Sequence, residues 1–444
     1  MTSERNNVVF RRDALAWCCY DWANSGYTTL IITVFVVYFQ RVVFAAEHWG
    51  TAGAVVWAWA VSASMLIGAI LSPILGALTD LRASKRHWLA ITASVGGLAC
   101  IVLAVLPLNA VWWITASFIV ANLSLELSLT VYNGFLPEIA QDDEMNRISA
   151  AGMGWGYVGG GLALLLGMAT IQFGDALGLQ ELSSRLRVCI AATGIWWIVF
   201  TVPTIVVLRD KRRHDRKSIP LLETASTAFG DAIGTFRQLR QFKVLALFLL
   251  AFLFFNDGVQ TVISQSSTFA LQEVSFTESE LLGVILMVQF LAAPGAIAVG
   301  KLSDVFGQKN TLVCCLVVWI GLLFSAWFIH TKIAYWCMAA VVALVLGGTQ
   351  SVSRAIMGVL TPEEHAAKFF GFFNMSGKAT SFMGTLVFGL IVAMTGSSRR
   401  AIVTLIAFFA IGLVIILCLR LPRVIANSGD SSQVKRSGHY ANAD

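Results

Sequence analysis

The chain has 444 residues, of which 57% are hydrophobic and only 13% charged, against about 25% charged in an ordinary soluble domain. A mean hydropathy of +0.75 excludes a soluble core with a wetted surface. A net charge of +6 without a basic face interleaved with exposed aromatics excludes a nucleic-acid binder.

A helix crosses the hydrocarbon core in about 20 residues. Twelve segments reach that length: 15–41, 54–79, 87–106, 110–134, 148–172, 187–208, 243–267, 280–302, 311–329, 333–356, 367–395 and 400–421. The polar start, Met1 to Asn7, leads into the first span without a small-residue cleavage site, so that helix is expected to stay. The expected organisation is an N-terminal six-helix half (1–208), a basic linker (209–242), a C-terminal six-helix half (243–421) and a polar tail (422–444). The linker opens with a basic run through Lys217, and its second part reads as an amphipathic helix on the membrane surface. Pro73 and Pro294 occupy corresponding late positions in spans two and eight and are expected to kink them.

A short polar phrase follows span two and returns after span eight. Gly76-Ala-Leu-Thr-Asp80-Leu-Arg82-Ala-Ser-Lys85-Arg86 becomes Gly300-Lys-Leu-Ser-Asp304-Val-Phe-Gly307-Gln-Lys309, with the acids 224 residues apart. A small residue, an acid four positions on and bases beyond it make a tight charged hairpin between two helices. Its repetition at half the chain length marks two similar halves in tandem, a pattern of many transporters.

Lysines and arginines fix an orientation. With the N-terminus inside, 24 of them fall on the cytoplasmic side, six on the other, and Lys378 inside a span. That asymmetry places both termini and the linker in the cytoplasm, and a bacterial cell (inner) membrane is the expected location. The eight cysteines all lie in apolar runs without a Cys-x-x-Cys pair, and read as small hydrophobes rather than metal or redox ligands. Trp49, Trp57, Trp112 and Trp113 read as interfacial anchors near the outer face. No cofactor motif, nucleotide-binding loop or Ser-His-Asp set is present, so neither ATP drive nor enzymatic hydrolysis is expected, and nothing specifies an oligomer.

Ionisable side chains inside a bilayer are costly, at least about 2.5–3.5 kcal/mol on insertion scales, so those that persist usually face a cavity or a partner. Four sets occupy single helix faces: Asp21, Asn24 and Thr28 in span one; Asn122 and Glu126 in span four; Asp257, Gln260, Thr261 and Ser264 in span seven; and Asn374, Lys378 and Ser381 in span eleven. Asp257 lies roughly 21 Å into its helix and Lys378 about 16 Å into its own. Asn122, Asn24 and Ser264 read equally well as interhelical hydrogen-bonding residues. Asp257, Glu126 and Lys378 are favoured for function, with a buried structural pair as the alternative. The run Gly152-x-Gly154-x-Gly156-x-x-Gly159-Gly160-Gly161 in span five reads first as a close packing face.

Twelve spans, a basic central loop and the paired acidic hairpins resemble the major facilitator superfamily. Gly76, Asp80, Lys85 and Arg86 match its hairpin pattern, as do Gly300, Asp304, Gly307 and Lys309, while Ala83, Ser84 and Gln308 depart from it. A narrower resemblance rests on Tyr20-Asp-Trp-Ala-Asn-Ser25, Tyr132-Asn-Gly-Phe-Leu-Pro-Glu138, Phe255-Asn-Asp-Gly-Val-Gln-Thr261, Gly347-Gly-Thr-Gln-Ser-Val-Ser-Arg354 and Phe370-Gly-Phe-Phe-Asn-Met-Ser-Gly-Lys378. Together these are similar to the branch that includes the autophagy-related vacuolar amino-acid effluxer of fungi. The resemblance implies two pseudo-symmetric six-helix halves and a central cavity lined by spans one, four, seven and ten, helped by two, five, eight and eleven. It also implies export of small solutes, amino acids being the best-supported class.

The expected function is secondary active transport of a small solute by alternating access, with protons on Glu126 or Asp257 as the coupling ion and membrane lipid as the surroundings. A transport-fold sensor or scaffold and a lipid flippase are the alternatives. Solute- or ion-binding candidates are Asp21, Asn24, Asn122, Glu126, Asn256, Asp257, Gln260, Asn374 and Lys378. Gating candidates are Gly76, Asp80, Arg86, Gly300, Asp304 and Lys309, with the two acids expected to hold the cytoplasmic side closed through nearby bases and a helix N-terminus.

Overall fold

The computed structural model of the chain describes residues 8–50, 52–82, 84–210, 242–379 and 381–421. The expected basic run from Lys211 to Lys217, the amphipathic part of the linker, Ala83 and the tail 422–444 lie outside the described residues. Among the described residues every regular element is helical, and twelve helices are long and apolar enough to cross a membrane. In lipid this is what backbone chemistry demands, since each N–H and C=O must be satisfied within its own segment.

Helix α1 runs as Arg12–Leu30 and continues through π-helical turns Ile31–Phe35 and Tyr38–Val43. It is followed by α2 (Ala52–Arg82), α3 (Lys85–Val105), α4 (Val111–Asn133), α5 (Met145–Gln172) and α6 (Leu182–Val207). The second half consists of α7 (Lys243–Glu273), α8 (Glu278–Phe306), α9 (Gln308–Ser325) and α10 (Lys332–Leu360). Helix α11 is described as Ala366–Ala379 and Ser381–Thr395, either side of Thr380, which lies outside the described residues, and α12 is divided into Ser398–Thr404 and Ile406–Cys418. Pro73 and Pro294 remain inside the uninterrupted helices α2 and α8.

Local chemistry sets the ends. Thr277 and Glu280 form a reciprocal capping box at the start of α8, and Thr331 caps α10 by accepting from the Ala334 amide. Gly307, at φ +83°, alone separates α8 from α9. Only a residue without a Cβ adopts that backbone freely, which lets the hairpin reverse within a single residue.

Within each half the outer helices are tied at both ends in corresponding ways. The Arg187 guanidinium at the start of α6 donates to the Leu106 carbonyl at the end of α3. The Arg399 guanidinium at the start of α12 donates to the Ala326 and Trp327 carbonyls that end α9, at 2.9 and 2.8 Å. At the opposite rim Asp210, just past α6, accepts from the Lys85 and Arg86 amides that open α3. Lys309 of α9 donates to the Leu417 and Leu419 carbonyls at the end of α12. Each tie satisfies orphan groups of a helix terminus.

Between the halves, α2 packs along α11 and α8 along α5, and α5 also meets α10. Small residues permit the approach: a Cβ on Gly76 would sit on the Ala367 backbone, and one on Gly371 on Ser72 and Pro73. In the glycine run of α5, Gly152, Gly156 and Gly159 face Asp21, Ser25 and Trp22 of α1, the packing face read from the sequence.

Candidate functional site

At the end of the bundle that carries the two acidic hairpins, called here the hairpin end, the halves are joined by charged groups. Asp80 accepts from the Ala367 and Lys368 amides at 3.2 and 2.8 Å, so a carboxylate of α2 caps the N-terminus of α11. An N-terminus with free N–H groups and a partial positive charge favours this partner. Its buried basic neighbour is Lys85, 3.1 Å away, and Lys85 also meets Glu138 at 2.6 Å. Arg86, the base expected in this role, instead contributes its backbone N–H to Asp210. Burial pushes the Asp210 carboxyl above its usual range, against the pull of the Arg86 and Lys85 amides.

The second hairpin repeats the plan with different donors. Asp304 accepts from Asn146 Nδ2 at 3.1 Å and Arg147 Nε at 2.6 Å, at the start of α5. Gln308, which departs from the family pattern, donates to Asn146 Oδ1 at 2.8 Å. Gly300 touches Ala150, and Lys309 faces the end of α12 rather than Asp304.

Deeper in the bundle lies a connection the sequence reading did not isolate. Arg354 of α10 is buried, with Nη1 2.8 Å from Asp21 Oδ2, Nε 3.1 Å from Ser149 Oγ and Nη2 2.7 Å from the Ser149 carbonyl. Its guanidinium stacks 4.6 Å from the Trp17 ring. Arg354 counts among the cytoplasmic bases although it falls within the span expected at 333–356; α10 continues to Leu360 and buries it. The signal was present: a base within an apolar helix, closing a phrase that begins Gly347-Gly-Thr-Gln.

Near mid-span, Lys378 Nζ lies 3.0 Å from Glu126 Oε1. The two belong to opposite halves; the Glu126 side chain is 2% exposed and that of Lys378 25%. Asn374, one turn before Lys378, donates to the Glu126 carbonyl at 2.9 Å and approaches its carboxylate at 3.4 Å. Three expected residues thus come together.

Asp257 stands apart from that pair. Its Oδ2 accepts from the Gly384 amide at 2.9 Å, and Oδ1 is buried without a hydrogen-bond partner among the described residues. Its neighbour Asn256 donates to the Gly377 carbonyl at 3.1 Å. Gly377 and Gly384 lie on either side of Thr380, so two consecutive residues of α7 engage the α11 backbone at two points near mid-span. The side chain of Ser381, placed on the α11 stripe, lies outside the described residues.

The remaining candidates are less central. Asn24 donates back to the Tyr20 carbonyl at 2.7 Å on its own helix, and Asn122 bonds Ser64 Oγ of α2 at 2.6 Å. Both carry the interhelical or local bonds of a structural residue. Gln260 is partly exposed, and Ser264 and Thr28 are exposed although they sit well inside their helices. Gln289 of α8 reaches Thr29 of α1, and Tyr157 of α5 reaches Gln350 of α10, so polar bonds between halves extend to mid-span.

The family described as "Vacuole effluxer Atg22 like" matches residues 40–428. The chain belongs to that family. An "Uncharacterized MFS-type transporter YxiO" of Bacillus subtilis is 31% identical, over 92% of this chain and 94% of that protein. "Autophagy-related protein 22-1" of Penicillium rubens is 27% identical over 62% of this chain, and the match spans about half (49%) of the fungal protein. Among solved structures, the fold resembles the proton:xylose symporter XylE (TM-score 0.75, 15% identity, 95% of this chain and 97% of that one). It also resembles FucP in the outward conformation (TM-score 0.68, 12% identity, 93% and 99%). This Atg22-like protein is therefore a multi-pass integral membrane protein with the major facilitator fold, a secondary transporter of a small solute and not an enzyme.

Proposed function

We propose that this Atg22-like transporter exports a small zwitterionic solute, amino acids being the favoured class, in a proton-coupled cycle. The observation that carries the reading is the Lys378–Glu126 pair, which spans the two halves at mid-depth with its ammonium partly accessible. A solute carboxylate offers Lys378 the same chemistry as Glu126, in the same charge-assisted geometry. When it takes the ammonium, Glu126 is left buried without its cation, and a buried lone carboxylate is neutralised by taking a proton. Solute binding and proton uptake then become one event. Asp257, with one oxygen on the Gly384 amide of α11 and the other without a hydrogen-bond partner among the described residues, is the second proton-bearing group in this reading.

The hairpin end is assigned to the cytoplasm by the distribution of bases, and the family description names efflux from a compartment, which supports a solute-releasing carrier. The bacterial relative that spans nearly the whole chain supports a bacterial cell-membrane location. Asp80, Asp304, Gly76 and Gly300 act on the closing of the hairpin end rather than on solute contact, because all four lie on the surfaces where the halves meet there.

Purified protein in liposomes tests the reading. Uptake of radiolabelled amino acids should rise when a pH gradient is imposed, and Glu126→Gln or Asp257→Asn should make flux insensitive to that gradient. Gradient-driven uptake unchanged in both variants would assign these acids to structure and coupling to another site.

A further inference from the structure

The guanidinium of Arg354 belongs to the C-terminal half, yet each hydrogen bond it makes is to the N-terminal half. Asp21 Oδ2, Ser149 Oγ and the Ser149 carbonyl take its N–H groups at 2.8, 3.1 and 2.7 Å. The ring of Trp17 covers it at 4.6 Å, and that of Tyr132 stands 6.0 Å away. Trp17 is itself stacked on Tyr132, with centroids 4.6 Å apart, and donates to the Tyr132 carbonyl. The space is kept by Gly152, where a Cβ would meet Asp21, Trp17 and Arg354 together. One half thus holds a complete receptor for an organic cation: a carboxylate, a carbonyl, a hydroxyl and an aromatic face, the set that recognises guanidinium and ammonium groups. The other half supplies the cation on a tether.

We propose that this pocket is a binding site for an ammonium or guanidinium group, occupied by Arg354 while the hairpin end is closed and open to a diffusible cation when it parts. Opening withdraws α10 from α1 and α5 and leaves the Asp21 carboxylate at the mouth of the pathway without its counter-charge. A buried carboxylate stripped of its partner is strongly destabilising, so a replacement cation stabilises the open form in the measure that it fills the pocket. Resting on the zwitterion reading above, the amino group of the cargo is the chemistry that fits. The amine engages Asp21 as the cargo enters through the open hairpin end, before its carboxylate is held at Lys378. The pocket itself follows from the geometry without that reading.

The test is binding of methylguanidinium to the full-length purified protein in nanodiscs, by calorimetric titration. Arg354→Ala should bind it saturably and at least about tenfold more tightly than the unsubstituted protein, whose own side chain competes. Arg354→Ala combined with Asp21→Asn should lose about tenfold or more of that affinity, the scale of one charge-assisted hydrogen bond. Where Arg354→Ala does not yield folded protein, Asp80→Asn keeps every pocket residue while loosening the hairpin end. It should then bind the probe, and Asp80→Asn with Asp21→Asn should not. Absence of saturable binding, or binding indifferent to Asp21, overturns the proposal. The titration involves no transport, so a failure of amino-acid flux in liposomes would bear on the cargo and leave the pocket standing.

Discussion

Lys378 and Glu126 are 3.0 Å apart and sit on different halves of the molecule, yet they are unequally sheltered. The carboxylate is nearly inaccessible while the lysine side chain stays a quarter exposed. Removing one partner therefore has different consequences from removing the other. Lys378→Ala leaves a buried charge alone, a loss of about 3–5 kcal/mol, whereas Glu126→Gln leaves an ammonium that solvent still reaches. Thermal unfolding should show a large drop for Lys378→Ala, a small one for Glu126→Gln, and partial recovery in the double variant. Uptake should be lost in both proteins that lack Lys378.

The two hairpin glycines are not equivalent. A Cβ on Gly76 would strike the backbone of Ala367 and Lys368, while one on Gly300 would meet the Ala150 Cβ at 2.6 Å. Backbone at the start of α11 gives way less readily than a neighbouring helix face. Gly76→Ala should therefore impair transport more than Gly300→Ala. Spin labels at exposed Gln141 and Glu364 should show longer distances in Gly76→Ala than in the unsubstituted protein, and similar lengthening in Asp80→Asn. Unchanged distances in both would remove these residues from the closing of the hairpin end.

Orientation is open to a direct measurement. Gln141 is exposed at the hairpin end and Glu47 at the opposite one. A membrane-impermeant maleimide added to intact cells should label a cysteine at 47 and not at 141, with the reverse in inside-out vesicles. Labelling of position 141 from outside would invert the assignment.

Adjacent arginines offer an internal control for the tie between α9 and α12. Arg399 is buried, bonded to the Ala326 and Trp327 carbonyls and to Glu273, while the neighbouring Arg400 is exposed. Hydrogen bonds to a charged group contribute about 1.5–3 kcal/mol. Arg399→Ala should lower the unfolding temperature clearly and Arg400→Ala hardly at all.

The twelve spans were legible because lipid imposes a length and a polarity that single residues cannot disguise. Boundaries were missed where polar residues are satisfied inside the helix. The span expected at 243–267 extends to Glu273, because Ser264 and Ser266 donate to carbonyls one turn back and the Ser266 carbonyl accepts from Tyr335. The tenth span, expected at 333–356, runs on to Leu360, and the role of Arg354 within it could not be read until its partner, 333 positions away, was known. Helical periodicity grouped Asn374 with Lys378 and Asn122 with Glu126, but only the packing of α4 on α11 shows that Lys378 meets Glu126 and not Asp257.

The ties at both rims of α3 with α6 and of α9 with α12 bear on where the molecule can yield. Stiffness is distributed through each group of six helices, while the charged bonds between groups gather at one rim and thin out toward mid-span. Elastic strain from the surroundings cannot easily bend either group, so it is delivered to the seam. A bilayer that presses harder on one leaflet than the other thus acts as a torque on that seam, biasing which face is open without contacting a single solute-binding residue.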